Sequence, residues 1–70
     1  MTPQELFNSI NEHFDEIAQK TARGNHLIRQ CLTFHPADIA EFLQNSPLEH
    51  FDAIFAQFPP DFKQKIFEYL

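Results

Sequence analysis

The chain has 70 residues, nine of them phenylalanine, and a formal net charge of −5. This length predicts a single domain over residues 1–70, and the absence of any cluster of basic side chains argues against a nucleic-acid partner. One cysteine excludes an internal disulfide,. No apolar run approaches the roughly 20 residues of a membrane-spanning helix. The first residues lack the basic and apolar regions of a secretory signal, so we expect no such signal there.

A first helix is predicted over residues 3–22. Thr2, Pro3 and Glu5 form the pattern of a capping box with proline at the first helical position,. The apolar face of this helix recurs with a period of 3.6 residues and consists of Leu6, Phe7, Ile10, Phe14 and Ile17,. Gly24 is expected to end the helix in a left-handed turn.

Two further helices are predicted over residues 26–33 and 36–45. Cys31 lies on the apolar stripe of the first of these and is predicted to be a core residue,. His35 precedes a proline, and residues before proline avoid the helical region. His35 is therefore expected to be a turn or cap residue, with Pro36 as the first residue of the next helix.

The remaining chain predicts helices over residues 47–57 and 60–70. Ser46 and Glu49 suggest a second capping box around Pro47, and Pro59-Pro60 forces the next break,. No segment alternates with a period of two residues, so we expect no sheet. The predicted fold class is all-α, with four to five short helices.

The second half of the chain repeats with a period of twelve residues, because Phe42-Leu43 is followed by Ile54-Phe55 and then by Ile66-Phe67. A fixed period indicates stacked helical units, with the first helix as a lid. The predicted core of this stack is Phe42, Leu43, Phe51, Ile54, Phe55, Phe58 and Ile66. The last helix would leave Phe67 and Leu70 uncovered, and we expect self-association through that C-terminal helix, or disorder of that helix.

Two pairs of carboxylates have the i, i+3 spacing that places them together on a helix: Asp38 with Glu41, and Glu49 with Asp52. Mg²⁺ prefers such oxygen ligands and keeps several waters, so these residues are candidates for a weak magnesium site. Asp38 and Glu49 follow helix-initiating prolines and also suit a capping role. Glu41 and Asp52 lie mid-helix and are the stronger candidates, with a plain solvated face as the alternative.

Other chemistry has little support in the sequence. The four histidines show no His-x3-His pair, and a single cysteine provides no thiolate cluster for zinc,. There is no glycine-rich phosphate loop and no nucleophile elbow. We therefore expect that the protein is not an enzyme.

The string from Phe34 to Leu43, together with the later apolar pairs and Pro59-Pro60, resembles the intracellular N-terminal domain of MgtE-type magnesium transporters. This resemblance implies a right-handed superhelical stack of short helices on the cytoplasmic side. It also implies magnesium-dependent gating with CBS and membrane domains as partners. Two functions follow: a magnesium-sensing regulatory domain, or a fragment of one, and a stand-alone helical protein–protein interaction module.

Overall fold

The computed structural model describes residues 2–70, and all regular secondary structure in this part of the chain is helical. The all-α prediction is therefore confirmed. Residues 2–70 form six helices rather than four to five: α1 (Pro3–Glu12), α2 (Phe14–Gln19), α3 (Ala22–Cys31), α4 (Pro36–Gln44), α5 (Leu48–Phe55) and α6 (Pro60–Phe67). None of them is long and apolar enough to cross a membrane.

The predicted capping box begins α1. The Thr2 hydroxyl accepts the Glu5 backbone N–H over 3.2 Å, and the Glu5 carboxylate accepts the Thr2 backbone N–H over 3.1 Å. Two otherwise unpaired N–H groups are thereby satisfied. The backbone and hydroxyl of Thr2 stabilise the charged carboxylate and lower the pKa of Glu5,.

The helix predicted over residues 3–22 is divided in two, and this prediction was wrong. His13 has non-helical dihedral angles (φ −115°, ψ 29°), so α1 ends at Glu12 and α2 begins at Phe14. The change of direction allows the Phe14 ring to stack on His50 of α5 at a centroid distance of 3.7 Å. Packing of α2 against α3 and α5 therefore overrides the continuous helical pattern.

The next break is also displaced from its predicted position. Lys20, not Gly24, adopts the left-handed conformation (φ 58°), and α3 begins at Ala22 rather than at residue 26. The Thr21 hydroxyl caps α3 by accepting the Gly24 N–H over 3.2 Å. Gly24 lies inside α3, where a Cβ atom would collide with the carbonyl oxygen of Glu16. The glycine thus permits a close approach of α2 and α3.

The last three helices follow the twelve-residue period, since they begin at residues 36, 48 and 60. His35 caps α4, as expected, with Nδ1 accepting the Ala37 N–H over 3.0 Å. The second capping box is absent: Ser46 donates to the Phe42 carbonyl over 2.7 Å instead, and no side chain caps α5. All three helices are shorter than predicted, ending at residues 44, 55 and 67.

Packing joins the two halves of the chain. Helix α1 packs mainly on α3, α2 packs on α3 and α5, and α4 packs on α6 more extensively than on α5. The right-handed superhelical arrangement stays a prediction.

The core is built mainly from aliphatic side chains of all six helices. The fully buried ones are Leu6, Ile10, Ile17, Ile39, Leu43, Ile54 and Ile66. Of the other predicted core residues, Phe58 is buried, whereas Phe42, Phe51 and Phe55 are half-buried. The second residue of each repeated pair becomes more exposed along the chain. Leu43 is buried, Phe55 is half-buried, and Phe67 is 71% exposed.

Candidate functional site: the acidic cleft between α1 and α4

A cleft of about 430 Å³ lies between α1 and α4. The rings of Phe7 and Phe42 stack face to face, with centroids 4.3 Å apart and planes within 1° of parallel. Since α1 packs chiefly on α3 and α4 chiefly on α6, space remains beside this stack. The lining residues are Pro3, Gln4, Phe7, Asn11, Asp38, Glu41, Phe42, Asn45, Ser46 and Pro47.

The structure brings one of the two predicted carboxylate pairs to this cleft. Asp38, in the first turn of α4, and Glu41, one turn later, both line it and are exposed to solvent. Glu49 and Asp52 are also exposed, but they lie on α5 and do not line the cleft. The four candidates therefore do not form one site around this cavity.

Hydrogen bonds within the lining use some of its donors, so acceptors outnumber donors there,. The Ser46 hydroxyl proton is used in the bond to the Phe42 carbonyl, so its oxygen can only accept,. The Asn45 amide donates to the Glu41 carbonyl over 2.9 Å, and the Gln4 amide donates to Asn8 Oδ1 over 3.0 Å. The side-chain carbonyls of Asn45 and Gln4 therefore add to the acceptor capacity of the two carboxylates.

The charge around the cleft is uniformly negative. Helices α1, α4 and α5 contain no lysine or arginine. The two ion pairs found among residues 2–70 both use Glu16, which contacts His13 and Arg23 at 3.3 Å each. The carboxylates of α4 and α5 therefore have no cationic partner within the described chain.

A metal centre of conventional composition is not formed by residues 2–70, because no group of three or more His, Cys, Asp or Glu side chains converges there. Asp38 and Glu41 supply at most two protein carboxylates at one place. This number suits Mg²⁺, which commonly binds through one or two carboxylates and retains water. The magnesium site stays a prediction.

Several residues of the cleft were not found from the sequence. Phe7 was assigned to an apolar stripe, and nothing in the periodicity pairs it with Phe42, 35 positions later. Gln4, Asn11 and Asn45 carry no motif at all. Their role follows only from the placement of α1 against α4.

Two further polar groups lie inside the packed interior. The Nδ1 atom of His50 is buried and has no hydrogen-bond partner among residues 2–70. Cys31 is buried, as expected for a core residue, and desolvation raises the pKa of its thiol to about 12. A thiol with so high a pKa remains protonated at neutral pH and is a poor nucleophile.

Comparison with protein-family models, with curated proteins and with solved structures found no match to this chain.

Proposed function

We propose that this chain is a cytoplasmic, magnesium-sensing regulatory domain of an MgtE-like magnesium transporter, or a fragment of such a domain. Two observations carry the proposal. The MgtE-like string forms all of α4 except its last residue, and the carboxylates of α4 and α5 have no basic partner among residues 2–70. Within that string, His35 caps the helix while Asp38 and Glu41 face the solvent.

The unpaired negative charge of α4 and α5 would make the docking of such a domain depend on a divalent cation. Each carboxylate pair on α4 and α5 repels a second acidic surface that approaches it. Mg²⁺ held between the two surfaces would replace this repulsion by attraction. An exposed pair offers two oxygens and leaves water at the other octahedral positions, so binding to the isolated domain is expected in the millimolar range.

The missing ligands would come from a partner, for which the MgtE resemblance suggests a CBS domain beside the membrane domain. Cation binding and domain docking are then coupled, and each strengthens the other by the same factor. Glu41 and Asp52 are the principal ligand candidates because they lie beyond the first helical turns. Asp38 and Glu49 lie in first turns, where they also interact favourably with the helix dipole,.

A magnesium titration followed residue by residue by NMR tests the proposal. The expected result is a set of saturable shifts centred on Glu41 and Asp52, at constant ionic strength maintained with NaCl. Glu41→Gln and Asp52→Asn should each remove the local shifts. Asp15→Asn, which changes an exposed carboxylate on α2, is the matched control. Equal, non-saturating shifts at all ten acidic residues would indicate screening alone and contradict a site.

The regulatory part of the proposal requires a second measurement. Sequencing of the transcript that encodes the chain should show CBS and membrane-spanning segments in the same reading frame. In the intact transporter, Glu41→Gln or Asp52→Asn should weaken closure at high magnesium. Normal gating by both variants at every magnesium concentration would reject the sensing role.

The alternative function is a helical protein–protein interaction module, and the exposed apolar side chains favour it. Phe67 on α6 is 71% exposed, and Leu48 on α5 is 74% exposed. Self-association through α6 is the simplest form of this alternative. Sedimentation should then show a concentration-dependent dimer that Phe67→Ser abolishes, and a monomer at all concentrations would reject it.

A further inference from the structure

We infer that the cleft between α1 and α4 binds an arginine side chain from a basic segment of another protein. The same Asp38 and Glu41 carboxylates are magnesium-ligand candidates, but arginine binding does not require the magnesium proposal to hold. The inference rests on the combination of a preformed cavity, an aromatic stack, and a lining with negative charge and an excess of hydrogen-bond acceptors.

The dimensions of the cleft suit a side chain rather than a bare ion. Its volume of about 430 Å³ lies within the range of roughly 300–1,000 Å³ that is typical of organic ligand sites,. The half-buried rings of Phe7 and Phe42 supply an apolar surface beside the carboxylates. A hydrated Mg²⁺ ion gains nothing from such rings, whereas an organic cation packs on them.

The polar lining selects a ligand with many donors. Acceptors outnumber donors in this lining, because the Asp38 and Glu41 carboxylates and the Ser46 hydroxyl oxygen can only accept,. The Gln4 and Asn45 amides each use one N–H within the chain and each present a carbonyl oxygen, and Asn11 adds a third amide. A guanidinium group has five N–H donors in a plane, and this plane can stack on an aromatic ring. An ammonium group offers only three donors and no flat face, so arginine fits the lining better than lysine.

Charge complementarity also identifies the source of the arginine. The chain has two arginines, Arg23 and Arg29, both on α3, and Arg23 already pairs with Glu16. Two copies, each with a net charge of −5, repel one another,. A basic peptide segment of a different protein meets neither obstacle, and the absence of lysine and arginine from α1 and α4 leaves its charge unopposed.

The test compares acetyl-hexaarginine-amide with acetyl-hexalysine-amide, which carries the same charge, in 150 mM NaCl without magnesium. Amide and aromatic NMR signals of the full 70-residue chain are recorded during each titration. The arginine peptide is expected to bind at least about tenfold more tightly, since charge-assisted hydrogen bonds and stacking are gained together. Its shifts should centre on Phe7, Glu41 and Phe42.

Three variants give the comparison its specificity. Glu41→Gln should weaken arginine binding about tenfold, and Asp38→Asn provides a second test if that variant is unstable. Phe42→Leu keeps an apolar side chain but removes the ring, so it should reduce the preference for arginine over lysine. Asp15→Asn on α2 removes one negative charge away from the cleft and should change the affinity less than twofold.

Equal affinity for the two peptides would overturn the inference, because charge alone would then explain binding. Shifts spread over the acidic residues of α2 and α6, or unchanged affinity in both carboxylate variants, would overturn it as well. Dimer formation that excludes the peptide would show that a second copy occupies the cleft instead.

Discussion

The side-chain amide of Gln57 donates hydrogen bonds to the backbone carbonyl of Ile17, over 3.0 Å, and to that of Ala53, over 3.1 Å. Ile17 belongs to α2, forty residues earlier in the chain, and Gln57 follows the end of α5. The half-buried amide therefore gives a second hydrogen bond to a carbonyl near the C-terminal end of α2, which also accepts the Lys20 N–H over 3.1 Å. It joins the N-terminal helices to the twelve-residue repeat by a polar contact.

Replacement of Gln57 by alanine should lower the free energy of unfolding by about 1 kcal/mol. The cost arises because the bonds from Gln57 to the Ile17 and Ala53 carbonyls are lost, while the Ile17 carbonyl keeps the Lys20 N–H as a partner. Urea denaturation followed by circular dichroism measures the change. Gln64→Ala on the exposed side of α6 is the control and should stay within about 0.5 kcal/mol of the parent chain,. Equal effects of the two variants would show that the long-range bond does not form in solution.

Replacement of Gly24 by alanine should destabilise the protein by more than about 2 kcal/mol. Replacement of an exposed helical glycine by alanine normally raises the free energy of unfolding by about 1 kcal/mol. The effect expected for Gly24→Ala has the opposite sign. The reason is steric, since the new Cβ atom would collide with the backbone of Glu16 and Ile17, which cannot rotate away as a flexible side chain could. Thermal and urea unfolding measure the effect, and a stabilised variant would show that α2 and α3 are further apart than described here.

Replacement of Lys20 by glycine should have the opposite effect and stabilise the protein by about 0.5–1 kcal/mol. Lys20 is exposed and adopts φ 58°, a conformation that costs a side-chain-bearing residue about 1–2 kcal/mol,. The greater entropy of glycine in the unfolded chain offsets part of the gain. Lys65→Gly, on the exposed face of α6, should destabilise under the same urea protocol. A loss of stability in both variants would contradict the left-handed turn.

Helix starts that depend on neighbouring residues could be predicted from the sequence, whereas the turn between α2 and α3 could not. The Thr2–Glu5 capping box and the helix starts after His35 and Pro59 depend on neighbouring residues, and they were predicted correctly. The turn at Lys20 was missed because glycine is the usual left-handed residue, and Gly24 lies only four positions away. Gly24 lies inside α3, where the close approach of α2 leaves no room for a Cβ atom. The left-handed residue of the turn is Lys20 instead.

The candidate site was also predicted only in part. The proximity of Asp38 and Glu41 could be predicted from the sequence, because i, i+3 neighbours share a helix face. The cleft that they line could not be predicted, because it depends on the stacking of Phe7 on Phe42, and these two residues belong to helices that are distant in the chain. Its lining by Gln4 and Asn11 follows from the same long-range placement of α1.

The two residues of the middle repeat should differ in their contribution to stability. Ile54 is fully buried, and Ile54→Ala should cost about 2–5 kcal/mol through the cavity it leaves,. Phe55 is half-buried, with its ring against Phe51, Phe58 and the Lys63 ammonium group, and Phe55→Ala should cost about 1–2 kcal/mol,. Parallel urea titrations of the two variants provide the comparison. A greater loss in Phe55→Ala would show that the repeat is rotated relative to the arrangement described here.

The buried thiol of Cys31 should make stability fall at alkaline pH. Burial raises its pKa from the ordinary 9.0 to about 12, so the folded protein keeps a proton that the unfolded chain releases. The contribution is therefore complete below pH 9 and is lost as the pH rises from 9 towards 12. At pH 10 this group alone should lower the free energy of unfolding by about 1 kcal/mol.

The difference in unfolding free energy between the parent chain and Cys31→Ala isolates this contribution, since the two proteins differ only at residue 31. The cavity left by the alanine costs a similar amount at every pH, so the stability advantage of the parent should shrink between pH 8 and pH 10. Thiol labelling by a disulfide reagent at pH 8 should also be slow in the folded protein and fast in urea, because the reactive thiolate forms readily only after unfolding. A constant advantage together with rapid labelling of the folded chain would mean that Cys31 is reached by solvent.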